Sequence, residues 1–364
     1  MKKVFNFSSA LRTLGSAILL TIAVILPLSP MSCKLSDDDE SDGGDTPAIV
    51  SCSMIDEKTV KIDFSEPVSI SDVKFDEKDI SQTDAELTTE KEIKLDESAE
   101  VGKTYTIKGN ATNENGNTYS FSGEVSGFNS NPARLILSEI HTSASGKKTG
   151  FVELFVIKGG NLSGFEIVSG YYGEDKKYKF PNCEVSEGEY IVVHLWRSEK
   201  ETGNMIDEIG TDLTKSTAEW SSNSRDFWAN LDKRNLGLKK DVVVLKNNST
   251  IVDAVLYSGD IKEFSGSFQK ELANNSISAG IWTGATSGET FNYSDGINNA
   301  NNSLSRQNVE KIYGRYKAGQ LPGKISTSEE DWIVTMSDSV SDVFGATPGE
   351  KNSSTKYVKT TKSN

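Results

Sequence analysis

RLILSEIHTSASGKKTGFVELFVIKGGNLSGFEIVSG, residues 134–170, is the stretch that decides the fold class. It holds two strand-like runs and a turn. In the first run Leu135, Leu137 and Glu139 fall on one face at period two, and Ile136, Ser138 and Ile140 on the other. The second run, FVELFVI (151–157), is apolar on both faces, which predicts a central strand covered on each side. GEYIVVHLW (188–196) and KDVVVLKN (240–247) have the same two-sided character. TIVDAVLYSG (250–259) follows across a short Asn-Asn-Ser turn, a hairpin signal.

Working outward, residues 48–128 repeat the pattern in amphipathic form. TVKIDF alternates Val60, Ile62 and Phe64 with Thr59, Lys61 and Asp63, a half-buried strand, and SEPV (65–68) is expected to turn the chain. Tyr105 and Ile107 share a face in KTYTIKG. NENGN (113–117) reads as a turn, and Tyr119, Phe121 and Val125 alternate beyond it. Asn129-Ser130-Asn131-Pro132 is a turn-rich linker between the two units. Long 3.6-residue periodicity is absent. The expected class is all-β, two antiparallel sandwiches in tandem. Stretches near 198–226 and 258–300 read as long insertions into the second unit, the latter with a short helix in EFSGSFQKELANN. Residues 352–364 read as a polar, flexible tail.

The N-terminus reads as an export signal. Lys2, Lys3 and Arg12 precede an apolar run from Leu14 to Leu28, short of the roughly 20 residues that a spanning helix needs and interrupted by Pro27. Ser32 and Cys33 follow, then the acidic tract KLSDDDESDGGDTP, expected to be a disordered tether over 33–47. Alternate carboxylates there also suit calcium, but the closing Glu of such a loop is missing. Loss of residues 1–32, with three basic residues and no acid, takes the net charge from −14 to −17. Such a chain is repelled by nucleic-acid phosphates, so nucleic acid ranks low as a partner. Cys52 and Cys183 then remain, and nothing in the sequence brings them together.

Basic start, apolar run, small residue, Cys and polar tether resemble the leader of bacterial lipoproteins. That resemblance implies cleavage after residue 32, acylation (palmitate) of Cys33, and a lipid-anchored place in the cell envelope, at the outer membrane or cell surface. Pro30 stands where the common lipobox prefers Leu. Residues 48–128, with KTVKIDFSEPV and YTIKGNATNENGN, resemble bacterial immunoglobulin-like domains, which implies a spacer. Residues 133–351 resemble the lamin-tail domain, an immunoglobulin-like β-sandwich. The residues carrying that likeness are Ser138-Glu139-Ile140, Val152-Glu153-Leu154, Leu162-Ser163-Gly164, Gly188 to Val193, Val252-Asp253-Ala254-Val255, Ser303-Leu304-Ser305-Arg306, Glu330-Asp331-Trp332 and Thr347-Pro348-Gly349. Val156-Ile157 replace the family's usual Asn.

Motifs for catalysis are absent: no G-x-S-x-G, no Walker loop and no dinucleotide fingerprint. Two histidines, His141 and His194, do not make a metal-ligand spacing, and neither a metal nor another cofactor is expected. Glu139 and Glu153 fall on adjacent strands in the resembling fold, a pair that could serve glycoside hydrolysis. The structural alternative, a network with a backbone amide or with Arg306, is preferred. Trp220, Trp228 and Trp282 lie in the inserted or loop-like stretches, where exposed aromatics could bind a protein or glycan; the competing expectation is that they cap the core. The expected function is a non-enzymatic binding or scaffolding module on a lipid anchor. The alternatives are a surface hydrolase using the inserted loops and a self-assembling envelope protein.

Overall fold

The computed structural model describes residues 46–81, 84–143, 149–173, 177–197, 200, 203–217, 224–229, 236–258, 264, 266–284, 296–336 and 345–358. The leader, Cys33, the acidic tether and Trp220 lie outside the described residues. The protein is all-β.

The first unit is built from β1 (Ile49–Asp56), β2 (Thr59–Phe75), β3 (Lys78–Asp79), β4 (Asp84–Lys94), β5 (Thr104–Asn113) and β6 (Thr118–Ser126). The order β1-β2-β5-β6 is antiparallel, with β3 and β4 also paired to β2. SEPV does not end the strand as expected. β2 runs through it, with its register broken between Asp63 and Val68. Pro67 has no N–H to donate, so a break in the ladder is where a strand tolerates it. There β2 changes partners: Ile49 to Asp56 pair with its first half and β5 with its second. The core holds Val60, Ile62, Phe64, Val68, Ile70, Ile107 and Phe121, with Phe64 and Phe121 edge to face at 5.4 Å.

The second unit begins with β7 (Arg134–His141), β8 (Gly150–Lys158), β9 (Gly160–Asn161), β10 (Phe165–Ser169), β11 (Tyr178–Lys179) and β12 (Glu184–Val185). It continues with β13 (Tyr190–Trp196), β14 (Arg225–Trp228), β15 (Lys240–Asn247), β16 (Thr250–Ser258), α1 (Ser267–Ser278) and β17 (Trp282–Thr283). It closes with β18 (Ser303–Arg306), α2 (Val309–Lys317), β19 (Thr327–Ser328) and β20 (Trp332–Thr335). A six-stranded sheet, β14-β13-β8-β7-β18-β20, faces a four-stranded one, β11-β10-β15-β16. Leu135, Leu137, Val152, Leu154, Val193 and Leu304 from the first meet Ile167, Val243, Leu245 and Val255 from the second. FVELFVI is central and buried on both faces, as its composition requires, because a third layer covers the outside. Ile136, Phe155 and Ile157 pack there against Val309 and Ile312 of α2. Phe151 and Val192 pack against Ala346. The Asn-Asn-Ser hairpin joins β15 and β16, with Asn248 left-handed at φ 52°.

Two connecting segments make specific contacts. Asn129 of the linker donates through Nδ2 to the carbonyls of Asn161 (3.1 Å) and Ser163 (2.8 Å) in the second unit. In the described part of the tail, Tyr357 N donates to the Val334 carbonyl of β20 at 2.8 Å and Tyr357 packs on the main core. No disulfide joins Cys52 and Cys183.

Candidate functional site

The carboxylate pair singled out in the sequence does come together, by a route that alternation alone does not give. The pairing of β7 with β8 slips between Leu137 and Glu139. That bulge puts two residues opposite one and reverses the faces beyond it. Glu139 therefore leaves the face of Leu135 and Leu137 and stands opposite Glu153 on the outer side of the sheet, while Ile140 turns into the core. Both carboxyls are fully buried. Glu139 accepts from Ser303 Oγ, from Ser305 Oγ at 2.9 Å and from the Thr347 amide at 3.0 Å. Glu153 accepts from the Gly349 amide at 2.7 Å. The Thr347-Pro348-Gly349 turn is thus a strap laid across the pair. Burial pushes Glu139 up to about 7. It pushes Glu153 well above the usual carboxylate range, and the Glu139 charge pushes it further. The strap leaves this pair inside the fold.

Arg306 is not part of that network, contrary to one expectation. It pairs instead with Asp253 of β16, Nη1 to Oδ2 at 2.6 Å, both side chains fully buried. Asp253 also accepts from the amides of Leu137 (2.7 Å) and Ala254 (3.0 Å). Arg306 stands on the six-stranded sheet and Asp253 on the four-stranded one, so the ion pair ties the two sheets together.

Each histidine is buried and hydrogen-bonded. His141 Nδ1 lies 2.8 Å from the Asn302 carbonyl oxygen. His194 sits between Thr149 Oγ1 (2.6 Å from Nδ1) and Asp226 Oδ1 (3.2 Å from Nε2). With Asp226 accepting, the ring proton belongs on Nε2 and Nδ1 accepts from the Thr149 hydroxyl. The order hydroxyl, imidazole, carboxylate is one used for nucleophilic activation. Here, however, Thr149 is 0%, His194 1% and Asp226 2% exposed, with Trp228 stacked on the imidazole at 4.0 Å. The arrangement works as a buried staple between β8, β13 and β14. Among the described residues no group of three or more His, Cys, Asp or Glu could hold a metal ion.

The tryptophans divide. Trp282 is corrected from a binding residue to a core residue: it is 1% exposed and packs in the main cluster, where the parallel pairing of β17 with β19 holds it. A large apolar ring is buried wherever the chain lets it reach the core. Trp228 is half-buried, its Nε1 donating to Ser216 Oγ at 3.2 Å.

The exposed aromatic side of the second unit lies elsewhere, at the end of β10. A shallow groove of about 390 Å³ opens there, lined by Tyr171, Tyr172, Lys240, Ser267, Phe268 and Gln269 among others. Tyr171 is 53% exposed, and its ring meets that of Tyr172 edge-on, with centroids 4.9 Å apart. The base of the groove is rigid. Asp241, buried at the start of β15, accepts from Ser169 Oγ (2.5 Å) and from the amides of Tyr171 (2.8 Å), Gly237 (2.9 Å) and Val242 (2.8 Å). Burial pushes this carboxyl up to about 6 despite the four donors. Gly170 lets α1 approach, since a Cβ there would stand 3.0 Å from the Gln269 Cα. None of these groove residues was expected. The available signal was Gly170-Tyr171-Tyr172-Gly173, two adjacent tyrosines in a glycine-flanked turn.

Comparison with known proteins gives the following. A Treponema pallidum (strain Nichols) protein described as uncharacterized is 32% identical over 161 residues, 43% of this chain and 40% of that protein. The match thus spans well under half of the relative's length. A crystal structure of a DUF4876 family protein from Bacteroides thetaiotaomicron VPI-5482 aligns over 80% of this chain and 96% of the other. Its identity is 13% and its TM-score 0.27, too low to bear on the fold. The model of the TP_1001 protein second domain matches residues 133–334, more than half of the chain and almost the whole of the two-sheet sandwich with its groove, and the chain belongs to that family.

Proposed function

We propose that this chain is an exported lipoprotein, acylated on Cys33, that displays a lamin-tail-type β-sandwich as a non-enzymatic binding module for a protein or a glycan. The observation that carries the binding role is the tyrosine-lined groove, with an exposed ring on a base fixed by Asp241. The insertion near 258–300 supplies one wall of it through α1, which gives that insertion a reason to exist. Sealing of Glu139 and Glu153 beneath the strap supports a structural use of the pair over a hydrolytic one. The lamin-tail reading is supported by where its motifs fall. Ser138-Glu139-Ile140 and Val152-Glu153-Leu154 lie on adjacent strands, and the Ser-Leu-Ser-Arg and Val-Asp-Ala-Val phrases supply the two halves of the buried ion pair.

Two experiments test the reading. In pull-downs and glycan-array screens with the full mature chain, Tyr171→Ala is expected to abolish ligand capture while leaving thermal stability unchanged, because the ring is exposed. Equal capture by both proteins would dismiss the groove. For the anchor, a fatty-acid analogue fed to producing cells is expected to label the wild type and not Cys33→Ser. An unlabelled wild type would make the protein a plain secreted one.

A further inference from the structure

Resting on that binding role, we infer that the groove takes an anionic saccharide, with one sugar ring on Tyr171 and its acidic group held between Lys240 and the start of α1. Four features converge on this occupant. First, α1 begins in the groove wall at Gly266 with no side-chain cap and no acidic residue in its first turn. Its leading amides, which have no partner within the helix, present partial positive charge to the groove. Second, Gln269 lines the groove and is 4% exposed, yet its Nε2 has no acceptor. A buried donor left unmade is destabilising, and a ligand oxygen would satisfy it. Third, Lys240 lines the same groove and has no carboxylate partner among the described residues, in a chain whose net charge is −14. Fourth, the exposed face of Tyr171 offers a flat, electron-rich surface to the C–H bonds of a sugar ring.

A peptide fits less well. Peptides that add to sheets need a free strand edge, and β10 carries β15 along one edge and β11 at Glu166 and Ile167 of the other. The chain's overall negative charge also opposes a densely charged polyanion, so the expected occupant carries sparse acidic groups. A carboxylate and a sulfate both meet this chemistry, and the test separates them.

Isothermal titration of the full mature chain, in detergent, compares four probes. They are a xylo-oligosaccharide bearing one glucuronic acid, the same sugar with that carboxyl reduced, a singly sulfated analogue, and the unsubstituted chain. The acidic probes are expected to bind at least tenfold more tightly than the neutral ones, and the tighter of the two acidic probes identifies the anion. Lys240→Ala should weaken acidic binding five- to tenfold without affecting the neutral probes, and Tyr171→Ala should abolish all binding. Equal affinity for acidic and neutral probes would overturn the anionic assignment. No saccharide binding, with Tyr171-dependent capture of a protein in the pull-down, would overturn the saccharide and keep the binding role. Ligand capture that ignores Tyr171 would sink both.

Discussion

Arg306→Ala is expected to be among the most damaging single substitutions in the second unit. Its Nη1 lies 2.6 Å from Asp253 Oδ2, and neither side chain touches solvent. Removing one partner of a buried pair leaves the other as an uncompensated charge, which costs about 3–5 kcal/mol. For a unit of this size that corresponds to roughly 6–20 °C in melting temperature. The loss also has packing parts. Arg306 Nε donates to Asn308 Oδ1 at 2.8 Å, and the guanidinium lies 5.7 Å from the Trp332 ring centre. A double substitution, Arg306→Met with Asp253→Leu, removes both charges and should recover much of the stability, since apolar replacement of a buried pair is often neutral. Thermal melts of the three proteins decide the matter. A melting temperature for Arg306→Ala within about 2 °C of wild type would show that the pair does not hold the sheets together.

That pair also shows what was legible in the sequence and what was not. Period-two alternation and two-sided apolar runs identify β8, β13 and β15 directly, because burial on both faces demands those compositions. An arginine closing the sandwich is legible too, but not its partner. Asp253 follows Glu139 and Glu153 by about a hundred residues or more, and only the packing of the two sheets brings it to Arg306. The bulge beside Ser138 is invisible to alternation, so the face of Glu139 is misread from the sequence. At Pro67 the break is legible but its meaning is not: a strand that changes partners keeps its direction where a turn would reverse it. Trp282 attracts attention as a ligand-binding ring because it lies in an insertion, yet that insertion folds back into the core. Tyr171 is overlooked because a pair of tyrosines in a turn is a weak signal until Asp241, 70 residues later, fixes the turn.

The strapped carboxyls carry the second large effect, a loss of stability as pH rises toward neutrality. Burial pushes both groups above the ordinary value of 4.5, Glu139 up to about 7 and Glu153 well above that ordinary value. A carboxyl whose folded pKa is raised stabilises the fold fully below its unfolded pKa. That contribution disappears as pH rises through the folded value. At pH 6 the pair can hold protons, and the strap amides of Thr347 and Gly349 bond to carboxyl oxygens that do not repel each other. As pH rises, ionisation places two negative charges on neighbouring buried residues. The shift on Glu139 alone, from 4.5 to about 7, represents on the order of 3 kcal/mol at roughly 1.4 kcal/mol per pKa unit. Glu139 alone should therefore cost the second unit about that much as pH rises from 4.5 to about 7, and the raised Glu153 adds to the loss. The general repulsion of an acidic chain acts in the same direction, so the comparison that isolates the pair is Glu153→Gln. Its amide oxygen still accepts from Gly349 N, while one of the two ionisations is removed. Denaturant midpoints measured upward from pH 4.5 should show the variant losing less stability than wild type, with a shallower pH slope. Parallel slopes for the two proteins would mean that the buried pair does not set this pH dependence. Because the strap is the segment that seals the pair, hydrogen-exchange protection at Gly349, corrected for the intrinsic base-catalysed rate, should fall in the wild type as pH rises and hold in Glu153→Gln.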